Sequence, residues 1–286
     1  DRRITMLHKI ENEYLTCEID DMGAQLHSLV SKENGKEYIW YGRTEIWYGQ
    51  APVLFPIIGQ LINDTYYYNG VKYTMPKHGL ARKLPFKVKE CSGAKAIFSL
   101  ESDENTLKSY PFEFELLVAF ELKGKSLVNT MTVINKTSGE MYFSIGAHPG
   151  FNCKVGDVIE FEQPETLETE RIDSDNLIID KKFPLIENSR NIVITEDIFK
   201  ADALILSGIK SKKLRIKGDN EIEFTFGDCP FLGIWAKPGA PYVCLEPWYG
   251  VNDGREVKDD ISKKRGIQRL DMGGSFEFSW TAEIIK

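Results

Sequence analysis

The stretch PFEFELLVAFELKGKSLVNTMTVIN, residues 111–135, decides how this chain folds. Phe112, Phe114, Leu116, Val118, Phe120 and Leu122 fall on every second position, with Glu113, Glu115 and Glu121 between them. A period of two puts the apolar set on one face and the carboxylates on the other, the pattern of a strand half-buried against a core. Gly124 then marks a reversal into a second strand. The same alternation returns in KLRIKGDNEIEFTF (213–226), around a turn at Gly218, Asp219 and Asn220. In SFEFSWTAEII (275–285) it puts Phe276, Phe278, Trp280, Ala282 and Ile284 on one face. YYYNGVKY (66–73) carries Asn69-Gly70 between strand-like halves, a hairpin signal because both turn residues need positive φ.

Helical periodicity is nearly absent, and the best candidate is a short helix within TEDIFKADAL (195–204). Many strands joined by short turns, without alternating amphipathic helices, predict an all-β antiparallel sandwich rather than a parallel α/β fold. No internal repeat or low-complexity linker divides the chain, so residues 1–286 read as one continuous domain.

A net charge of −7 argues against nucleic acid as a partner. The one basic run, KSKKLRIK (210–217), alternates with apolar residues and reads as the wet face of a strand. No apolar stretch reaches the roughly 20 residues of a membrane helix. The opening DRRITMLHKI has no signal-peptide apolar core. Cys17, Cys91, Cys153, Cys229 and Cys244 are odd in number and form no C-x-x-C pair, which predicts free, mostly buried thiols and suits a reducing cytoplasm. The four histidines have no metal-ligand spacing, so no metal is expected.

Three segments place a titratable group beside Gly or Pro. They are PKHGLAR (76–82), YFSIGAHPGF (142–151) and CLEPWYG (244–250). The second reads as a strand ending in a stiff turn that immobilises His148; in the third, Pro247 restricts Glu246 to an extended backbone. Gly79 lets another surface approach His78. Singly, a histidine in such a turn is more often a hydrogen-bonded structural residue, and the Glu-Pro-Trp turn is similarly ambiguous; His8 and His27 read as surface or core residues.

Together with PVLFPIIG (52–59), these segments occur in an order and at separations that resemble the aldose 1-epimerase (galactose mutarotase) family, most closely its LacX-like branch. The resemblance spans roughly residues 10 to 285. It implies a large twisted β-sandwich with few short helices, and an isomerase that interconverts the anomers of a monosaccharide without a cofactor. It also implies Glu246 as base on the C1 hydroxyl, His148 as acid at the ring oxygen, and His78 as a second hydrogen-bonding group there. Ring opening needs a base and an acid on opposite sides of the anomeric centre, which glutamate and histidine supply.

Phe151, Trp235 and Trp248 offer flat surfaces for a sugar's apolar face, and each is as readily core as pocket. Asp202 resembles the family's hydroxyl-binding aspartate, with helix capping as its equal competitor. Gln60 stands where the family carries an arginine after FPxxG. Arg82 resembles an arginine of the branch that acts on hexose 6-phosphates, and Lys77 and Lys83 flank it. Four readings therefore stand: a free-hexose mutarotase, a hexose-6-phosphate 1-epimerase, an inactive sugar-binding protein, and a glycosidase with Asp253 as second carboxylate.

Overall fold

A computed structural model describes residues 6–256 and 260–286, so the first five residues of the N-terminal stretch read above lie outside it. The deciding stretch forms strands Phe114–Lys123 and Ser126–Asn135, with Phe114 opposite Asn135 and Lys123 opposite Ser126. Alternate residues of both strands are buried. Lys95–Glu101 and Ser275–Ile284 flank this pair on its two sides. The ladder grows into an antiparallel sheet of fifteen strands, and Leu7–Glu11, Leu15–Asp20 and Gln25–Ser31 form a separate three-stranded sheet. The fold is the expected all-β antiparallel sandwich. Its core runs from Ile10 to Ile284 and is rich in aromatics such as Phe55, Phe114 and Phe143.

The hairpins read from the sequence form as expected: Thr65–Tyr68 pairs Val71–Thr74 around left-handed Asn69 and Gly70. Lys213–Lys217 pairs Ile222–Thr225, and its cations meet carboxylates: Lys213 and Arg215 bond Glu223, and Lys217 bonds Glu160. All five cysteines are free, three of them buried.

The helix expected at 195–204 does not form. Among the described residues the one α-helix is Thr106–Ser109. Residues 195–203 instead close successive tight turns, with the Lys200 N–H on Asp197 O and the Asp202 N–H on Phe199 O. Asp202 takes a left-handed φ of 61°, which ends any helical run before so short a segment can stabilise itself. Leu204–Ser207 then enters the sheet.

The strand Tyr242–Tyr249 positions the site. It pairs Phe231–Trp235 on one side and two short strands, Ile145–Ala147 and Gly150–Asn152, on the other. This corrects the reading of YFSIGAHPGF as a strand that stops in a turn, because pairing resumes at Gly150. The interruption has a local cause: Pro149 has no N–H for the ladder, although its carbonyl still accepts from the Leu245 N–H at 3.1 Å. Register is kept across the gap, since Gly146 lies opposite Trp248 and Gly150 opposite Cys244.

Candidate active site

His148 sits midway between Gly146 and Gly150, and Glu246 midway between Cys244 and Trp248, so the register sets the two side chains opposite one another. His148 Nε2 lies 3.1 Å from Glu246 Oε2. The two atoms lie within ion-pair distance but lack hydrogen-bond alignment. Glu246 Oε2, His148 Nδ1 and Trp248 Nε1 are all buried without a hydrogen-bond partner. Buried orphan polar atoms are rare in folded proteins, and three in one place mark a site built for something other than stability.

Trp248 fits because two neighbours have no side chain. A Cβ on Gly146 would come within 2.7 Å of the indole, and one on Gly233 within 2.6 Å. Gly150 similarly admits Trp47, whose ring a Cβ would approach to 3.1 Å. Trp47 lies tilted against His148 with centroids 5.2 Å apart, and Trp235 meets both rings edge-on.

These residues line a cavity of about 250 Å³. His78 reaches it from a loop whose backbone is bonded to the FPIIG segment: the His78 N–H donates to Gly59 O, and the Leu80 N–H to Phe55 O. Gly79 carries the close approach read from the sequence, since a Cβ there would lie 2.2 Å from Phe55 O. The Gly59 N–H donates to His78 Nδ1 at 3.1 Å, which assigns the proton of the neutral ring to Nε2. The His78 and His148 rings meet edge-on at 5.8 Å.

Burial dominates the electrostatics. It pushes the Glu246 carboxyl well above the usual carboxylate range, helped by the charge of Asp202 and opposed by Lys77. It pulls His148 down to about 3 and holds His78 well below its ordinary value. Both imidazoles are therefore neutral at pH 7. Burial also lowers Lys77 and Arg82.

Of the residues expected in the site, Glu246, His148, His78, Arg82, Asp202, Trp248 and Trp235 all line the cavity. Asp202 caps no helix; its Oδ1 accepts from the Ala203 N–H, and Arg171 holds the loop through the Asp202 and Ile198 carbonyls. Arg82 reaches in with Nη2 donating to Lys77 O.

Phe151 is corrected to a core residue: it is 1% exposed and packs against Phe224 and Trp280. Three residues past His148 along the chain, an odd number, the strand pleat turns it to the opposite face of the sheet. Gln60 is also outside the cavity lining, its amide donating to Asp64 Oδ1 and Leu61 O. Asp253 is taken up by Lys264 and the Ile62 N–H and supplies no second carboxylate.

Trp47, Tyr48, Gln25 and Asn252 line the cavity without having been singled out in the sequence. Trp47 and Tyr48 stood in an aromatic-rich segment, and nothing in their spacing separated pocket from core. Cys244 joins His148 and Glu246 as the nearest approach to a metal-ligand set among the described residues, with ligand atoms within 4.8 Å of one another. Its thiol is fully buried, and burial raises it far from the thiolate form that binds metal.

An antiparallel β-sandwich with a buried Glu-His pair in a pocket defines the class, an all-β protein with a candidate acid/base site, and the sequence comparison narrows it. The chain belongs to the aldose 1-epimerase family, whose sequence profile matches residues 6–226. It is 32% identical to the plasmid-borne protein LacX of Lactococcus lactis subsp. lactis, over 93% of this chain and 95% of that protein. A galactose mutarotase related enzyme from Lactobacillus acidophilus superposes with a TM-score of 0.92 at 32% identity, covering 98% of each chain. A galactose mutarotase-like protein from Lactobacillus casei gives 0.93 at 29% identity, covering 98% of this chain and all of that one.

Proposed function

We propose that this protein is an aldose 1-epimerase that interconverts the α and β anomers of a free hexose by opening and reclosing the pyranose ring. The observation that carries this reading is the buried, mutually opposed pair Glu246 and His148 at the floor of a cavity with room for one sugar ring. Opening moves the O1 proton to a base while an acid protonates O5, and the C1–O5 bond breaks to give the open-chain aldehyde. Half a turn about C1–C2 and the reverse proton transfers close the other anomer. Each group acts once as acid and once as base, so the pair needs only one proton between its members.

Burial alone favours protonated Glu246 and neutral His148. With that one proton on His148 instead of Glu246, the pair is carboxylate and imidazolium, the arrangement with Glu246 as base on O1–H and His148 as acid at O5. Lys77 favours the carboxylate, and sugar oxygens complete the solvation of both charges. His78, with its proton on Nε2, supplies a fixed donor to the ring oxygen. Trp47 and Trp235 present ring surfaces to the sugar's apolar face.

Polarimetry of freshly dissolved α-D-glucose and α-D-galactose tests the reading, with Glu246→Gln beside the wild type. Equal slow decay in both would leave a sugar-binding protein without catalysis.

Arg82 and Lys77 favour a second reading. Both line the cavity, and neither meets a carboxylate within ion-pair distance among the described residues. Buried cations seek anions, and a phosphate would satisfy both. If Arg82→Ala raises KM for a hexose 6-phosphate while sparing the free sugar, the substrate is phosphorylated.

A further inference from the structure

Among the described residues the side chain of Lys77 makes a single hydrogen bond, from Nζ to Asn176 Oδ1 at 2.6 Å. Asn176 belongs to the turn that joins the two longest strands, Val158–Ile172 and Ile178–Val193. It does not line the cavity, yet it holds two residues that do. Its side chain takes Lys77, and its carbonyl accepts from Asn252 Nδ2 at 2.8 Å. Asn252 in turn covers Gly59, where a Cβ would lie 2.0 Å from its amide, and the Gly59 N–H fixes the tautomer of His78.

The turn is itself braced. Asp173 Oδ1 accepts from the Asp175 and Leu177 N–H groups, and Arg255 grips the other oxygen. Asn176 has a φ of 63°, a left-handed conformation that asparagine tolerates better than most residues. Its amide is also neutral. It fixes an ammonium without cancelling its charge, whereas an aspartate would form an ion pair. An ammonium has three donors. One is used here, which leaves two N–H groups without a partner among the described residues, on a side chain that faces the cavity.

We infer that Lys77 is a sugar-contacting residue and that Asn176 is the positioning residue that aims it, so that the turn between the longest strands forms part of the site. The inference rests on the mutarotase reading and adds a donor to it. The unused N–H groups bind substrate oxygens, and the position of the ammonium is set by a residue distant in sequence that never touches the sugar.

A double-mutant cycle tests this, with kcat and KM measured by polarimetry on D-galactose for wild type, Lys77→Met, Asn176→Gly and the double variant. Glycine accepts the left-handed backbone and keeps the carbonyl that holds Asn252, and an unchanged melting temperature verifies the fold. Asn176→Ser provides a second removal of the amide. Loss of a charged hydrogen bond predicts that Lys77→Met lowers kcat/KM about 10- to 100-fold, chiefly through KM, and Asn176→Gly about 3- to 10-fold. The double variant should match Lys77→Met alone, because Asn176 acts only through the lysine.

Additive losses in the double variant would overturn the positioning role. Calorimetric binding of D-galactose to the same proteins separates the two readings. If the wild type binds sugar without turning it over, the catalytic reading fails while the Lys77 contact is still measured. If Lys77→Met binds as tightly as wild type, or the wild type does not bind, the inference itself is wrong.

Discussion

His148, in the short gap between the strands Ile145–Ala147 and Gly150–Asn152, lies opposite Glu246 of Tyr242–Tyr249, with Nε2 and Oε2 3.1 Å apart. Neighbouring strands fix such pairs through backbone hydrogen bonds, so the separation of the two groups does not depend on a mobile loop. A proton-transfer pair benefits from this rigidity, since small displacements of reacting groups are costly.

Glu246→Gln keeps the shape of the side chain and removes its basicity. The rate of anomerisation should fall about 10²- to 10⁴-fold, the usual worth of one positioned proton-transfer group. Polarimetric rates over a range of enzyme concentrations measure this. A variant within about threefold of wild type would remove Glu246 from the chemistry.

His148 should make the fold sensitive to acid. Its folded value is about 3 against an ordinary 6.5, so the unfolded chain takes up the proton first as pH falls. The stability contribution is complete above pH 6.5 and declines as pH drops toward 3, by about 1.4 kcal/mol per unit for each such group. His78 adds in the same direction. Urea unfolding between these limits should show a shallower pH slope in His148→Gln than in wild type. Parallel slopes would mean that the imidazole is not held neutral.

Gly233→Ala inserts a methyl group 2.6 Å from the Trp248 indole. Overpacking of this kind costs about 1–3 kcal/mol and forces the ring aside. Both the melting temperature and the tryptophan emission should change, together with a lower turnover. Unchanged emission would show that the indole is not pinned between Gly146 and Gly233.

Phe151 and Trp47 should separate stability from binding. Phe151→Ala opens a void in the core, with an expected loss of about 3–5 kcal/mol, and should leave KM unchanged in the surviving folded protein. Trp47→Ala should instead raise KM for the sugar, because this ring faces the cavity. Reversed behaviour of the two variants in chemical denaturation and kinetics would contradict the assignment.

The strands were legible because period-two alternation is a local property. Phe112 to Leu122 and Phe276 to Ile284 announce a buried face whatever lies across from them. The Asn69-Gly70 turn is local in the same sense, since its φ angles are demanded by two adjacent residues. The proposed catalytic trio was nameable because a Gly or a Pro follows each member, and the ordered motifs gave the family. The helix expected at 195–204 failed for the converse reason: a short segment of mixed pattern takes its shape from Arg171 and from the strand that follows.

Tertiary structure alone decided which face each neighbour of a motif would occupy. Phe151 and Trp248 sit beside titratable residues in similar motifs, yet one fills the core and the other walls the cavity. Strand register makes that choice, and register belongs to pairs of segments rather than to either one. The same holds for Lys77 and Asn176, joined across two distant loops by a single hydrogen bond. Sequence by itself thus determined that this chain is a β-sandwich of the aldose 1-epimerase family; the apposition of Glu246 with His148, and the residues that surround them, came from hydrogen-bonded registers formed only when the whole sheet assembles.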